Sequence, residues 1–150
     1  MKRSLYLVGA GKVDITPPLY IPYLGIRPRH AFFTGVHDRL YARSLYVSDG
    51  RSAALIVAAD ALGFSDNLLG DKRRFCQEVR RAAGRAAGVS WRNVMLAANH
   101  IHSSPETIDI RPLRALPGAA AWLETLQQAL AASARMAREN RFKAELTVGR

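Results

Sequence analysis

Two short apolar runs, Ala53 to Ala59 and Asn93 to Ala98, constrain the fold most. Ala-Ala-Leu-Ile-Val-Ala-Ala is too short for an ordinary helix and does not alternate, which suits a strand covered on both faces. Between the runs, Asn67 to Ala87 carries Phe75, Val79, Ala82 and Ala86 on one helical stripe, with Arg73, Arg80, Arg81 and Arg85 elsewhere. Ser65 and Asp66 are suited to cap the start of that helix, and Gly88 to stop it. Strand, helix and strand in this order predict a parallel, right-handed β-α-β unit. Asp60 and His100 then stand at corresponding ends of neighbouring strands. Ligands of open α/β sheets bind beyond the carboxyl ends of the strands, so the loops Asp60 to Asp66 and Asn99 to Ile110 should line a pocket.

The remaining segments build around this unit. Leu5 to Ile15 reads as a first strand, bent at Gly9 and Gly11 and ended by Thr16-Pro17-Pro18, where proline removes backbone donors. Pro17 to Gly35, rich in proline, glycine and aromatic residues, reads as an ordered loop of the kind that serves a site. Tyr41 to Val47 is a strand joined to the Ala53 run through Ser48-Asp49-Gly50-Arg51, a hairpin signal. After Pro117-Gly118, Ala119 to Glu139 reads as a helix with Trp122, Leu126, Ala129, Leu130 and Met136 inward. Ala144 to Val148 alternates as a last strand and runs out at Arg150 without a closing element, so an unpaired edge is expected there. The fold class is α/β: a mixed sheet with a hairpin and a β-α-β unit, helices packed on it, with residues 1–150 reading as part of a larger domain.

Charge excludes little. The chain has 22 Lys and Arg against 12 Asp and Glu, a formal charge of +10 that would attract polyanions. The basic residues recur from Arg3 to Arg150 without a run of five, so the excess reads as a spread composition bias. One cysteine, Cys76, gives no disulfide framework and reads as a packed residue. The apolar run Leu5 to Ala10 is too short for a secretory h-region, and no stretch approaches the roughly 18 apolar residues of a membrane span. The chain as given therefore reads as cytoplasmic, or as secreted or periplasmic if Met1 is not the true start.

Chemistry concentrates at His100-Ile-His102, directly after the second apolar run. Residues two apart on a strand project from the same face, so both imidazoles should meet at one point, as metal ligands or proton carriers. Zinc takes three or four protein ligands, and the local candidates Asp60, His37 and Glu106 lie at spacings that do not force convergence. The plainer reading has one histidine hydrogen-bonding a backbone carbonyl and the other solvated, and the residues alone leave both open. Ser103 and Ser104 lack a nucleophile elbow and read as turn residues. Gly9-Ala-Gly11 lacks the third glycine and following helix of a dinucleotide loop.

Four stretches in order, Gly9-Ala-Gly11-Lys-Val-Asp14-Ile-Thr-Pro-Pro18, Thr34-Gly-Val-His37-Asp38-Arg-Leu-Tyr41-Ala-Arg43, Asp60-Ala-Leu-Gly63 and Asn93 to Pro105, resemble N-terminal motifs of the neutral/alkaline, non-lysosomal ceramidases and their bacterial relatives. That resemblance implies the N-terminal part of a zinc-dependent amidohydrolase that cleaves N-acylsphingosine to fatty acid and sphingosine. It implies His100 as a Zn2+ ligand and His102 beside the activated water and the scissile group, as acid/base or substrate contact. Asp60 is expected to hydrogen-bond the ligating histidine, or else to cap the following turn, and His37-Asp38 to order the proline-rich loop. The family's other ligands (a histidine, a glutamate and a tyrosine) and a substrate-contacting arginine would lie beyond Arg150, so these 150 residues alone are expected to be inactive. Ile101 stands where the family has threonine, and Ser104 where it has glycine. The implied partner is a lipid-like amide, with peripheral membrane contact and no nucleic acid. The competing readings are a hydrolase of another amide or ester, and a non-enzymatic basic domain binding nucleic acid or an anionic membrane through Arg73 to Arg85.

Overall fold

The computed structural model describes residues 5–23, 32–110 and 113–147. Within the Pro17 to Gly35 loop, Gly25 and Pro28 therefore lie outside the described residues, as do Val148 and Arg150. Strands β1 (Leu5–Asp14), β2 (Tyr41–Ser48), β3 (Ala53–Ala59), β4 (Val94–Ala98) and β5 (Phe142–Glu145) form a five-stranded sheet in the order β4-β3-β2-β1-β5. The β2-β3 hairpin closes as expected: Asp49 Oδ1 accepts from Arg51 N at 2.9 Å and Ser52 N at 2.7 Å, and Gly50 takes a φ of 87°. β3 and β4 are parallel, with Ala59 opposite Ala98, while β1 pairs antiparallel with both β2 and β5. The mixed α/β fold and the β-α-β unit are thus as read from the sequence.

Helices α1 (Phe75–Ala87) and α2 (Ala119–Glu139) pack on one face of the sheet, burying Ala42, Tyr46, Leu55, Val57 and Val94 against Phe75, Val79, Leu123, Leu126 and Leu130. β3 is covered on that face only: Leu55 and Val57 are buried, whereas Ile56 is exposed in a row with Leu45 of β2 and Met95 of β4. The expectation of burial on both faces fails because an apolar composition hides the alternation that one helical layer imposes.

The helix expected from Asn67 divides. A 3-10 turn covers Asp66–Leu69, Gly70 at φ 105° breaks it, and α1 starts only at Phe75. The two cap candidates therefore serve different elements. Ser65 accepts from Asn67 N at the 3-10 turn, while Asp66 reaches forward to accept Cys76 N of α1 at 3.0 Å. The buried stripe of α1 is Phe75, Val79, Ala83 and Ala87; Ala82 and Ala86 are only half-buried. Gly88 ends the helix at φ 63°, donating to Gly84 O and Arg85 O.

α2 has the expected limits, but Met136 is exposed and Ser133, Ala134 and Ala137 face inward instead. The cause is the close approach of α2 to β1. An added Cβ at Gly9 would lie 2.0 Å from Ala137 O, and one at Gly11 2.1 Å from Ser133 O. Only small residues fit where helix backbone meets strand backbone, and β1 runs unbroken through both glycines. The last strand begins two residues before the expected Ala144 and pairs with the start of β1.

Arg73 ties the helices together. It pairs with both carboxylate oxygens of Glu78 on α1 and donates to Glu124 Oε1 of α2 at 2.6 Å, while Gln127 Nε2 donates to Glu78. The Arg73 hydrogen bonds pull the Glu78 carboxyl from its ordinary 4.5 down to about 2. Because the folded pKa is depressed, the stabilisation is complete above pH about 4.5 and is lost as the pH falls towards about 2. Glu78→Gln is expected to flatten the acid fall in stability across that window and, for so exposed a pair, to cost at most about 1 kcal/mol at neutral pH. Urea melts at several pH values check this; an unchanged acid slope would show that the pair does not titrate with folding.

Candidate functional site

The parallel strands β3 and β4 end side by side, and the chain leaves β4 through Asn99. Asn99 N donates to Ala59 O at 3.2 Å and its Nδ2 donates to Asp60 Oδ1 at 2.8 Å, tying the end of β4 to the end of β3. His100 then takes a φ of 62°, the left-handed region that a side chain with a Cβ rarely adopts. This turn folds the imidazole back so that Nδ1 lies 2.7 Å from Leu62 O. A carbonyl oxygen only accepts, so Nδ1 carries a proton, and in the neutral ring the lone pair is then on Nε2.

His102 meets it there. The two rings stand 5.1 Å apart between centroids and nearly perpendicular, at 81°, and both residues are exposed. The convergence expected of His-x-His is present, and the plainer expectation of a carbonyl partner holds for His100 as well. The two readings are compatible, because a bond at Nδ1 leaves Nε2 for a ligand or a proton.

Behind the histidines the loop is firmly anchored. Ser104 is buried and its hydroxyl donates to Ile101 O at 3.1 Å. Glu106 is fully buried, with Oε1 accepting from Ile108 N at 2.7 Å, and Thr107 O accepts from Ser65 N at 3.0 Å. Pro105 forms a bridge with Tyr23. Glu106, a candidate ligand by sequence, thus sits inside the loop as a brace.

Asp60 is the hub of the sheet end. Its carboxylate accepts from Tyr41 N at 2.9 Å, from Arg43 Nη1 at 2.8 Å to each oxygen and from Asn99 at 2.8 Å. Arg43 and Lys12 both lie over the Tyr41 ring. The hydrogen bond expected between Asp60 and His100 goes to the Leu62 carbonyl instead, and Asp60 grips Asn99, the residue before it. Asn99, Arg43 and the Leu62 carbonyl were not singled out by sequence reasoning. The polar Asn99 closing an apolar strand was the available signal.

His37 and Asp38 pair at 2.8 Å on the open surface and, with Leu19, Phe33, Val36 and Ser103, border a mainly apolar cleft of about 250 Å³. A second groove, about 660 Å³, follows the outer edge of β4 from Arg80 past Cys76 to His100. Burial pushes the Cys76 thiol up to about 11, so it is an inert packed group, as expected. Among the described residues no three His, Cys, Asp or Glu side chains gather to hold a metal, so His37, Asp60 and Glu106 do not complete a set with His100. No helix among the described residues is long and apolar enough to cross a membrane.

No protein-family model matches the chain. It is similar to the neutral ceramidase of Drosophila pseudoobscura pseudoobscura, 31% identical over 109 residues that make up 70% of this chain and 14% of that protein. The neutral ceramidase of Drosophila melanogaster is 31% identical over 107 residues, 68% of this chain and 14% of that protein. The fold matches the crystal structure of neutral ceramidase from Pseudomonas aeruginosa with a TM-score of 0.61 at 21% identity, over 93% of this chain and 22% of that one. A structure described as ceramidase complexed with C2 matches with a TM-score of 0.60 at 21% identity, over 91% of this chain and 21% of that one. The chain thus spans 14% of the length of these curated relatives.

Proposed function

This chain is related to the neutral ceramidases, and on that premise we propose that it contributes the His100/His102 part of a zinc-dependent amidohydrolase acting on N-acylated lipid amides of the ceramide kind. The observation that carries the reading is the meeting of the two imidazoles at the carboxyl end of β4, with His100 Nδ1 held by Leu62 O.

The donor chemistry suits zinc: His100 is exposed and its ring is held from behind at Nδ1, leaving Nε2 as the ligating nitrogen, the usual arrangement of a ligating histidine. His100 is the residue that would hold the metal, with ligands from outside these residues. Zinc, when bound, supplies Lewis acidity at the amide carbonyl and acidifies water to a pKa of roughly 7. His102, exposed beside His100, is the group to take a proton from the attacking water and return one to the leaving amine nitrogen. Asp60 holds the end of the strand. The cleft bordered by Ser103, Leu19, Phe33 and Val36 is apolar enough to take an aliphatic chain away from water.

Ser104 supports an unobstructed approach. Its side chain turns into the loop and is buried, so replacing glycine adds no group to the surface around the histidines. A panel of ceramides, short N-acyl amines and simple esters, offered to the protein as it is made in the cell, tests the substrate class. Hydrolysis of ceramides well above the other two supports the reading. Preference for the short amides or esters would place the protein among related hydrolases, and polyanion binding that falls steeply with salt, without hydrolysis, would favour the basic-domain reading.

A further inference from the structure

Two features at the sheet end are joined by a chain of hydrogen bonds: the left-handed backbone of His100 and the fully engaged carboxylate of Asp60. A histidine at φ 62° persists only where its surroundings over-determine it. Three bonds do so here: Asn99 N to Ala59 O, Asn99 Nδ2 to Asp60 Oδ1 and His100 Nδ1 to Leu62 O. Two of them hold the residue immediately before His100, and the third depends on the direction the chain takes after it.

Asp60 is itself held in place. Arg43 donates to both of its oxygens and Tyr41 N to one, and its backbone N–H donates to Tyr41 O at 2.9 Å. The Asp60 side chain is only 15% exposed. The chain of contacts therefore runs from β2 through Arg43 and Asp60 to Asn99 and so to His100. We propose that Asp60 is a positioning residue that acts through Asn99: it locks the left-handed turn at His100, which sets the imidazole against Leu62 O and so keeps Nδ1 protonated and Nε2 available outward. Remove the Asn99 contact and the turn relaxes towards ordinary extended backbone. The imidazole then leaves Leu62 O and loses both its fixed tautomer and its aim.

The inference rests on the zinc reading for its purpose but not for its test. Long-range 1H–15N spectra of the imidazoles report the His100 tautomer directly, with no metal added. The wild type is expected to show His100 with its proton on Nδ1. Asn99→Ala and Asp60→Ala are both expected to average the two ring nitrogens, and the double variant to look like either single one. Zinc titrations of the same proteins, by calorimetry, are expected to weaken about 10–100-fold in each variant. Asn99 is exposed, so Asn99→Ala keeps the test alive if Asp60→Ala does not fold. Variants that keep the Nδ1 tautomer and wild-type zinc affinity, and lose only thermal stability, overturn the proposal. If the tautomer responds to both substitutions while even the wild type takes up no zinc, the positioning inference stands and the zinc reading falls.

Discussion

Gly11→Ala is expected to unfold the domain or cost it about 3 kcal/mol or more, at or above the upper end for overpacking. A methyl group there would lie 2.1 Å from Ser133 O and 2.7 Å from Ala137 N, both backbone atoms of α2. No rotamer change relieves such contacts, so the helix must lift away from β1. That movement would also open the packing of Leu126 and Leu130 and the buried Ser44–Ser133 hydrogen bond, 2.7 Å long. Gly9→Ala, with Ala137 O at 2.0 Å, should behave alike. Gly35→Ala, with nothing within 4 Å of the added carbon, should stay within about 0.5 kcal/mol of wild type. Urea denaturation of the three variants checks the argument. A Gly11→Ala protein as stable as wild type would show that α2 does not rest on β1 in this way.

The two histidines are expected to fail differently. His100→Ala removes the group proposed to hold the metal, so zinc and amide hydrolysis should disappear together. His102→Ala should keep zinc to within a few-fold, because the imidazole proposed to hold the metal and its Leu62 partner are untouched, and should lower kcat by about 10²–10⁴-fold, the usual contribution of a positioned acid/base. Metal analysis beside steady-state kinetics separates the cases. Equal loss of zinc in both variants would make His102 a ligand rather than a proton carrier.

The sequence was most legible where local chemistry decides. Asp49-Gly50 marked the hairpin, Gly88 the end of α1, and the apolar runs at 53–59 and 93–98 the strands of the β-α-β unit, because turns, caps and short apolar strands are specified by the residues that form them, although neither strand is buried on both faces. It was least legible where a distant element decides. The open face of β3 follows from where the helices pack, which composition does not encode. The inward place of Ser133 and Ala137 follows from two glycines more than a hundred residues earlier in the chain.

The division was the same at the candidate site. His100 and His102 were visible as a pair from their spacing, but the strand geometry expected to join them is absent: β4 ends at Ala98, and the rings meet across a left-handed turn at His100. Asp60 was visible only as a carboxylate on the neighbouring strand end. That it grips Asn99 while a backbone carbonyl holds the histidine depends on the turn at φ 62°, for which no residue type is a signal. The family resemblance read from the four motifs agrees with the similarity to neutral ceramidases in sequence and in fold.

The measurement that bears most directly on the proposed function is zinc content together with ceramide hydrolysis in the protein as the cell makes it, with and without His100→Ala. Stoichiometric zinc and hydrolysis in the wild type, both lost on substitution, are the expected result. Hydrolysis that survives His100→Ala, or a wild-type protein that turns over ceramide without zinc, would contradict it.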